Sequence, residues 1–435
     1  MASVLSSRIV HNHPLIGLFV IFLAWKLCIL LITLASPGPG YDTSTSLLFG
    51  HQDSRHATSG TPSFMANRWF NFVRWDAIYF THMSEQGHVY EQEWAFGMGI
   101  STTISWVAAP GLALSHLAHW LSVRQLFALA TSLHGGEELS PSLGPFYAAA
   151  LHIFSPAGVF LSAPYTESLF AFLSISGFLG YVRAASHFTR DGLVPGCINM
   201  TGAAIAFGMA TFVRSNGILA GIPFLLEASA TAHAILRQGV SLPRVSWLAS
   251  AGLGGLLVAA GMAIPQIIAY YEYCDGREPG ARRPWCESIF PSIFTWVQSH
   301  YWNVGPFRYW TLSNLPLFLL AAPALWLLFY SAIDVLHDPA SLVATSSKIP
   351  SRIVTTQQKR TIISLAVPQL ALAVLALTSY HVQIITRISS GYPLWYLWLA
   401  AKIQGNPKRT VPIIRWMVVY ALIQAGLYAS FLPPA

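Results

Sequence analysis

Long apolar runs, broken by short polar loops, organise this chain from end to end. Read for crossings of about 20 residues, the pattern predicts helices at 14–35, 96–120, 145–163, 166–183, 198–213, 217–234, 246–270, 311–331, 361–380, 392–402 and 412–432. Several are short for a straight crossing, 392–402 most of all, so the expectation is about 9–11 spans. Two intervening loops are long. One covers 36–95 and opens on a stretch through residue 66 rich in Gly, Ser, Thr, Pro and His, which reads as flexible; the other covers 272–310. The first apolar run, Leu15 to Leu34, exceeds the roughly 7–15 residues of a cleaved leader and reads as an uncleaved signal-anchor. No internal repeat interrupts the pattern, and the chain reads as one all-α polytopic membrane unit over 1–435.

Composition sharpens this class. Of 435 residues 54% are hydrophobic and only 9% charged, against about 25% charged in soluble domains. The net charge of +7 would suggest nucleic acid in a soluble protein. Here it reflects Lys and Arg in short cytosolic loops, where the positive-inside rule puts them. With the N-terminus in the cytosol, Arg8, Arg124, Arg183, Arg190, Arg237, Arg244, Lys348, Arg352, Lys359, Arg360, Lys402, Lys408 and Arg409 all fall on the cytosolic side. Most acids fall opposite, including Asp42, Asp53, Asp76, Glu85, Glu91, Glu93, Asp275, Glu278 and Glu287. The sequon Asn199-Met200-Thr201 lands at a cytosolic span edge and is expected to carry no glycan.

The chemistry gathers in the first long loop. Arg68-Trp69-Phe70-Asn71-Phe72-Val73-Arg74-Trp75-Asp76-Ala77-Ile78-Tyr79-Phe80 sets a carboxylate among aromatic rings. An isolated loop Asp is more often an ion-pair partner, here of Arg74 or Arg68. The surrounding Phe72, Trp75, Tyr79 and Phe80 favour a working acid, because such rings dock at an interface and stack on a sugar face. Glu91 and Glu93 follow between Tyr90 and Trp94. No Asp-x-Asp pair occurs anywhere, and no His or Cys spacing resembles a metal site. A sugar donor whose leaving group is a lipid monophosphate fits this: phosphate departs without an acid catalyst, and one general base on the acceptor hydroxyl suffices. By analogy with inverting glycosidases, a base opposite the leaving group gives inversion.

The phosphate then needs cations, arginine for preference. Three polar breaks in apolar sequence are candidates for such contacts, two of them with an arginine: Arg214 with Asn216; His381 and Gln383 with Arg387; and Glu167 in Pro164-Tyr165-Thr166-Glu167-Ser168. Charges beside a span are functional hypotheses by default, although an ion pair of Glu167 with Arg214 explains two of them structurally. Cys274 and Cys286 share the 272–310 loop on the oxidising side, so a disulfide between them is open on these grounds. Cys28 and Cys197 lie in or near spans and read as packing residues.

Taken together in order, these motifs resemble the GPI mannosyltransferase 2 family over most of the chain. The resemblance rests on Arg74-Trp75-Asp76 with Tyr79-Phe80, Gly87 with Tyr90-Glu91, Ser155-Pro156-Ala157, Tyr165-Thr166-Glu167-Ser168-Leu169-Phe170 and Val213-Arg214-Ser215-Asn216-Gly217. It continues through Arg283-Pro284-Trp285-Cys286, Tyr301-Trp302-Asn303-Val304-Gly305, Phe318-Leu319-Leu320-Ala321-Ala322-Pro323, His381-Val382-Gln383 and Thr386-Arg387. It implies a GT-C architecture with catalytic loops in the ER lumen, dolichyl phosphate mannose as donor substrate with no cofactor, and transfer of the second mannose (α-1,6) onto the GPI precursor glycolipid. Asp76 is then the catalytic acid, and Arg74, Trp75, Tyr79, Glu91, Glu167, Arg214, Asn216, Trp302, His381, Gln383 and Arg387 are the expected substrate-binding set. A multi-pass ER membrane location, contact with membrane lipids and a small accessory ER membrane subunit belong to the same expectation. One departure is visible: where the family carries a Phe-Pro-Gly-rich stretch, this chain has Phe96-Gly97-Met98-Gly99-Ile100, without the proline. Two other readings compete. A transporter or scramblase of lipid-linked sugars would use the breaks near Arg214 and Arg387 as an anion path, but leaves the acidic, aromatic loop without a role. Another GT-C enzyme, acting on protein or an N-glycan precursor, shares the chemistry but not the late motifs.

Overall fold

Helices form because, in hydrocarbon, each backbone amide must find its partner within its own segment, and the long apolar runs among the described residues follow that rule. A computed structural model describes residues 12–37, 69–107, 111–133, 143–190, 192–343 and 354–432. The Gly- and Ser-rich stretch beyond residue 37, together with Arg8, Asp42, Asp53, Arg68, Lys348, Arg352 and the C-terminal 433–435, lies outside them. No β-strand occurs among the described residues.

In chain order the α-helices are α1 Pro14–Ala35, α2 Asp76–Gln86, α3 Gly99–Val107, α4 Gly111–Leu133, α5 Gly144–Ile153, α6 Thr166–Arg190, α7 Leu193–Val213 and α8 Gly221–Gln238. They continue with α9 Leu242–Tyr273, α10 Ile293–His300, α11 Leu315–His337, α12 Thr356–Thr378, α13 Ile385–Ile388, α14 Leu394–Gly405 and α15 Pro407–Ala429. Among the described residues, eight helices are long and apolar enough to cross a membrane: α1, α6, α7, α8, α9, α11, α12 and α15.

The remaining expected spans differ for local reasons. The apolar run at 96–120 becomes α3 and α4, with Pro110 just before α4; proline has no amide to donate and disfavours helix in the residue before it. The run at 145–163 ends its α-helix at Ile153, before Ser155-Pro156, and continues through a turn where Gly158 takes φ +46°. The 392–402 segment is α14, buried from Leu394 to Ala400 and too short to cross.

α6 is the most enclosed of the eight long helices, packed between α4 and α7, with α9 against α7. The α7–α9 contact depends on bare backbone: a Cβ on Gly261 would collide with the Gly208 carbonyl oxygen, and one on Gly208 would lie 2.7 Å from that of Leu257. Small residues let membrane helices approach this closely. Phe19, Leu23, Leu27 and Leu31 of α1, and Leu253, Leu256 and Ile267 of α9, face outward, as lipid-facing residues do. Inside, Lys26 of α1 is buried and donates from Nζ to Leu161 O (2.7 Å) and Ser162 Oγ (2.8 Å), tethering the turn that leads into α6. The end of α1, the start of α6 and the ends of α7, α9, α12 and α15 meet at one pole of the bundle, and the loops over that pole carry the site.

Candidate functional site

Asp76 opens α2, where an anion is favoured by the unpaired amides of the first helical turn. The chain reaches it through Trp75, whose φ of 54° is uncommon for a residue with a side chain. Strain of this kind survives only where surroundings enforce it, and two buried tyrosines do so from either side of Arg74. Tyr165 Oη donates to Arg74 O (3.1 Å), while Tyr428 Oη donates to Phe72 O (2.8 Å) and accepts from Arg74 N (3.2 Å). The Arg74 side chain turns inward, bonding Asn71 Oδ1 (2.8 Å) with its guanidinium 4.8 Å from the Phe431 ring. It steadies the loop rather than reaching the Asp76 carboxylate. The Trp75 ring also packs on Phe431.

Asp76 meets a network of two arginines and a second acid. Arg387 Nη2 lies 3.0 Å from Asp76 Oδ2, and Arg387 Nε donates to Glu167 Oε1 (2.9 Å). Arg214 Nη1 reaches the same Glu167 oxygen at 3.0 Å and also donates to Thr166 Oγ1, while its Nε bonds Asn216 Oδ1 (3.3 Å). Asn216 is in turn held by Tyr392, whose hydroxyl donates to the Asn216 carbonyl (2.9 Å). The Arg387 guanidinium lies 4.1 Å from the Phe160 ring and 5.1 Å from that of Tyr165, within cation–π range. Burial works against its charge, but Glu167 and Asp76 outweigh that and hold its pKa above the ordinary value. The Glu167–Arg214 pair thus exists, as one arm of a larger cluster.

Exposure separates the acids. The Asp76 side chain is 33% exposed, against 0% for Glu167, 6% for Glu91 and 1% for Glu93. Glu91 accepts from Trp285 Nε1 (3.0 Å) and Tyr301 Oη (2.8 Å), fastening the first long loop to the second. Glu93 accepts from Val89 N (2.8 Å) and Tyr90 N (2.9 Å), with His82 Nδ1 at 2.6 Å. Cys274 and Cys286 form a disulfide that brackets Trp285.

An aromatic wall rises beside Asp76. Tyr79 packs on Phe96 (centroids 5.4 Å apart), and Phe96 packs on Trp302 (5.2 Å). Burial, then the nearby Asp76 and Glu93, push the Tyr79 phenol above its usual range, so it stays a neutral donor. His381 Nε2 donates to Trp302 O (2.9 Å), and its ring stacks on Tyr309 (4.6 Å). It locks the second long loop onto the segment carrying Arg387. Gln383 lies beside the Tyr309 hydroxyl. The Phe96–Gly99 segment sits against the end of α7, since a Cβ on Gly97 would collide with Val213 O.

Asp76, Tyr79, Glu167, Arg214, Asn216 and Arg387 therefore converge, with Trp302 on the wall. Arg74, Glu91 and His381 hold loops together. Phe160, Tyr392 and Tyr428 belong to the site without a motif to signal them; in sequence they are aromatic residues in apolar runs. Among the described residues no three His, Cys, Asp or Glu side chains lie together in a metal-binding group. A cleft of about 420 Å³ at the opposite pole is lined by Tyr330, Asp334, His337 and Lys402, but Asp334 there is bound by Lys402 (2.9 Å) and Trp398 Nε1 (2.6 Å).

A family model described as Mannosyltransferase (PIG-V) matches residues 15–435. The chain is 43% identical to GPI mannosyltransferase 2 of Aspergillus oryzae, covering 98% of this chain and 96% of that one. It is 40% identical to the GPI mannosyltransferase 2 of Gibberella zeae, covering 98% of each, and 33% identical to that of Yarrowia lipolytica, covering 96% and 98%. Among solved structures, an Archaeoglobus fulgidus oligosaccharyltransferase tethered to an acceptor peptide matches at TM-score 0.44 and 11% identity, over 95% of this chain and 55% of that one.

Proposed function

The chain belongs to the mannosyltransferase (PIG-V) family, and on that premise we propose that Asp76 is the general base with which it places the second mannose on the GPI precursor. It is a multi-pass membrane mannosyltransferase of GPI-anchor assembly. The finer reading is a GT-C enzyme at the lumenal face of the ER membrane, with dolichyl phosphate mannose as donor and an α-1,6 linkage as product. A small accessory membrane subunit remains part of the proposal.

One observation carries the assignment of the base. Among Asp76, Glu91, Glu93 and Glu167, Asp76 has the open carboxylate edge and is the one held by Arg387 through that edge's neighbour Oδ2; Glu91, Glu93 and Glu167 are sealed and spent on protein donors. The acceptor hydroxyl attacks the anomeric carbon, its proton passes to Asp76, and the bond from that carbon to the phosphate oxygen breaks with its electron pair left on the phosphate. Attack opposite the leaving group inverts the anomeric centre. Arg387 Nη1 and Arg214 Nη2 have no hydrogen-bond partner among the described residues, and these donors suit the phosphate. Tyr79 and Trp302 offer rings for the sugar.

The test is complementation of cells lacking the second GPI mannosyltransferase. Asp76→Asn keeps shape and hydrogen bonding but cannot take the proton. It is expected to express normally, lose about 10²–10⁴-fold in transfer and accumulate the one-mannose precursor. Near-normal transfer by Asp76→Asn would place the base elsewhere.

A further inference from the structure

Arg387 divides one guanidinium between two carboxylates with different access. Its Nε is held by Glu167, which neither solvent nor substrate can reach, and its Nη2 by Asp76, which is open. The faces of Phe160 and Tyr165 fix the plane of the group. We propose that Arg387 couples proton uptake at Asp76 to departure of the donor's phosphate: the edge that serves the base before transfer serves the phosphate after it. The inference rests on Asp76 as the base.

The charges balance. Before transfer Asp76 carries −1 and the donor is a phosphodiester monoanion. As the acceptor oxygen bonds the anomeric carbon, the hydroxyl proton moves to an Asp76 oxygen, and the electron pair of the breaking carbon–oxygen bond stays on phosphate. Asp76 is then neutral and the product is a phosphate monoester with one more negative charge. No net charge is created, but one negative charge has crossed from one side of Arg387 to the other. The neutral acid loosens its hold on Nη2 at the moment the phosphate needs a donor. In a site of low polarity such a shift counts for more than in water. Glu167 is the positioning residue of this device, because its Oε1 anchors both Arg387 and Arg214 and keeps the released guanidinium from swinging away.

The coupling makes a claim about binding, apart from turnover. With Asp76 neutral, the enzyme has the charge state it reaches after transfer, and it should hold a phosphate monoester more tightly. The experiment measures equilibrium binding of farnesyl phosphate, a short polyprenyl monophosphate, to purified protein in phosphatidylcholine nanodiscs at pH 7.5. Asp76→Asn is expected to bind about tenfold tighter than wild type, the size of one charge-assisted hydrogen bond regained. Arg387→Gln is expected to bind more weakly than wild type, and Asp76→Asn with Arg387→Gln no more tightly than Arg387→Gln alone. Unchanged affinity in Asp76→Asn, or a gain that persists without Arg387, overturns the coupling. Asp76→Ser removes the same charge and stands in if the Asn variant does not express. An inactive Asp76→Asn with unchanged affinity removes the coupling and leaves the base in place; an active Asp76→Asn removes both.

Discussion

His88, in the first long loop, shows how one buried side chain contributes to the protein's response to acid. Its ring packs on Trp94 (4.7 Å), its Nε2 is buried with no hydrogen-bond partner among the described residues, and burial lowers its pKa from 6.5 to about 4. Above pH 6.5 the folded and unfolded chains both hold this group neutral. Between 6.5 and about 4 only the unfolded chain protonates it, so stability falls as the pH drops through that window, by about 1.4 kcal/mol per pH unit for one proton. Thermal unfolding of wild type and His88→Phe across that range is expected to show a shallower acid slope in the variant, and an identical slope would discount the residue. Residue chemistry was only partly legible in sequence. Asp76, Glu91 and Glu93 are each an acid among aromatic rings. Composition cannot tell an open carboxylate from one sealed by Trp285 and Tyr301, because the sealing partners of Glu91 arrive 194 and 210 residues later in the chain. Arg74 misleads for the same reason, since its partner ring belongs to Phe431.

At the scale of elements, the segment Phe96–Gly99 positions the wall beside Asp76 through bare backbone. A Cβ on Gly97 would collide with Val213 O, and one on Gly99 would meet the Val213 side chain at 2.5 Å. Here the two glycines give close approach to the end of α7. Overpacking of this kind costs about 1–3 kcal/mol. Gly97→Ala is expected to lower thermal stability by that amount and to reduce transfer by displacing Phe96 from Tyr79 and Trp302. Gly252→Ala, where a Cβ meets nothing within 4 Å, is the control and should change neither. The long helices were legible because about twenty apolar residues in a row leave the backbone little choice. Their ends were less so: α4 begins after Pro110 and α5 stops before Pro156, and apolar content continues unbroken past both prolines.

For the whole molecule, the helices alternate so that the loops around Asp76 share one pole, and the basic helix ends with Arg237, Arg244, Lys359, Arg360, Lys402, Lys408 and Arg409 the other. Asn199 is the test of that arrangement. It lies in the second turn of α7, near the pole opposite Asp76, with its Nδ2 donating to Pro195 O (2.9 Å). No glycan is expected there; an endoglycosidase-sensitive mass shift lost in Asn199→Gln would reverse the topology.

The grip of Tyr428 on the strained loop also has a consequence in time. Arg74 and Tyr428 are 354 residues apart, and ribosomes add about 5–20 residues each second. The nascent chain therefore waits roughly 20–70 s between emergence of its acid and arrival of the second of the two tyrosines that hold its loop. Until the last span enters the bilayer, the loop that carries Asp76 has its Tyr165 grip but lacks the Tyr428 one, and a message cut short before codon 428 is expected to yield a protein held there from one side.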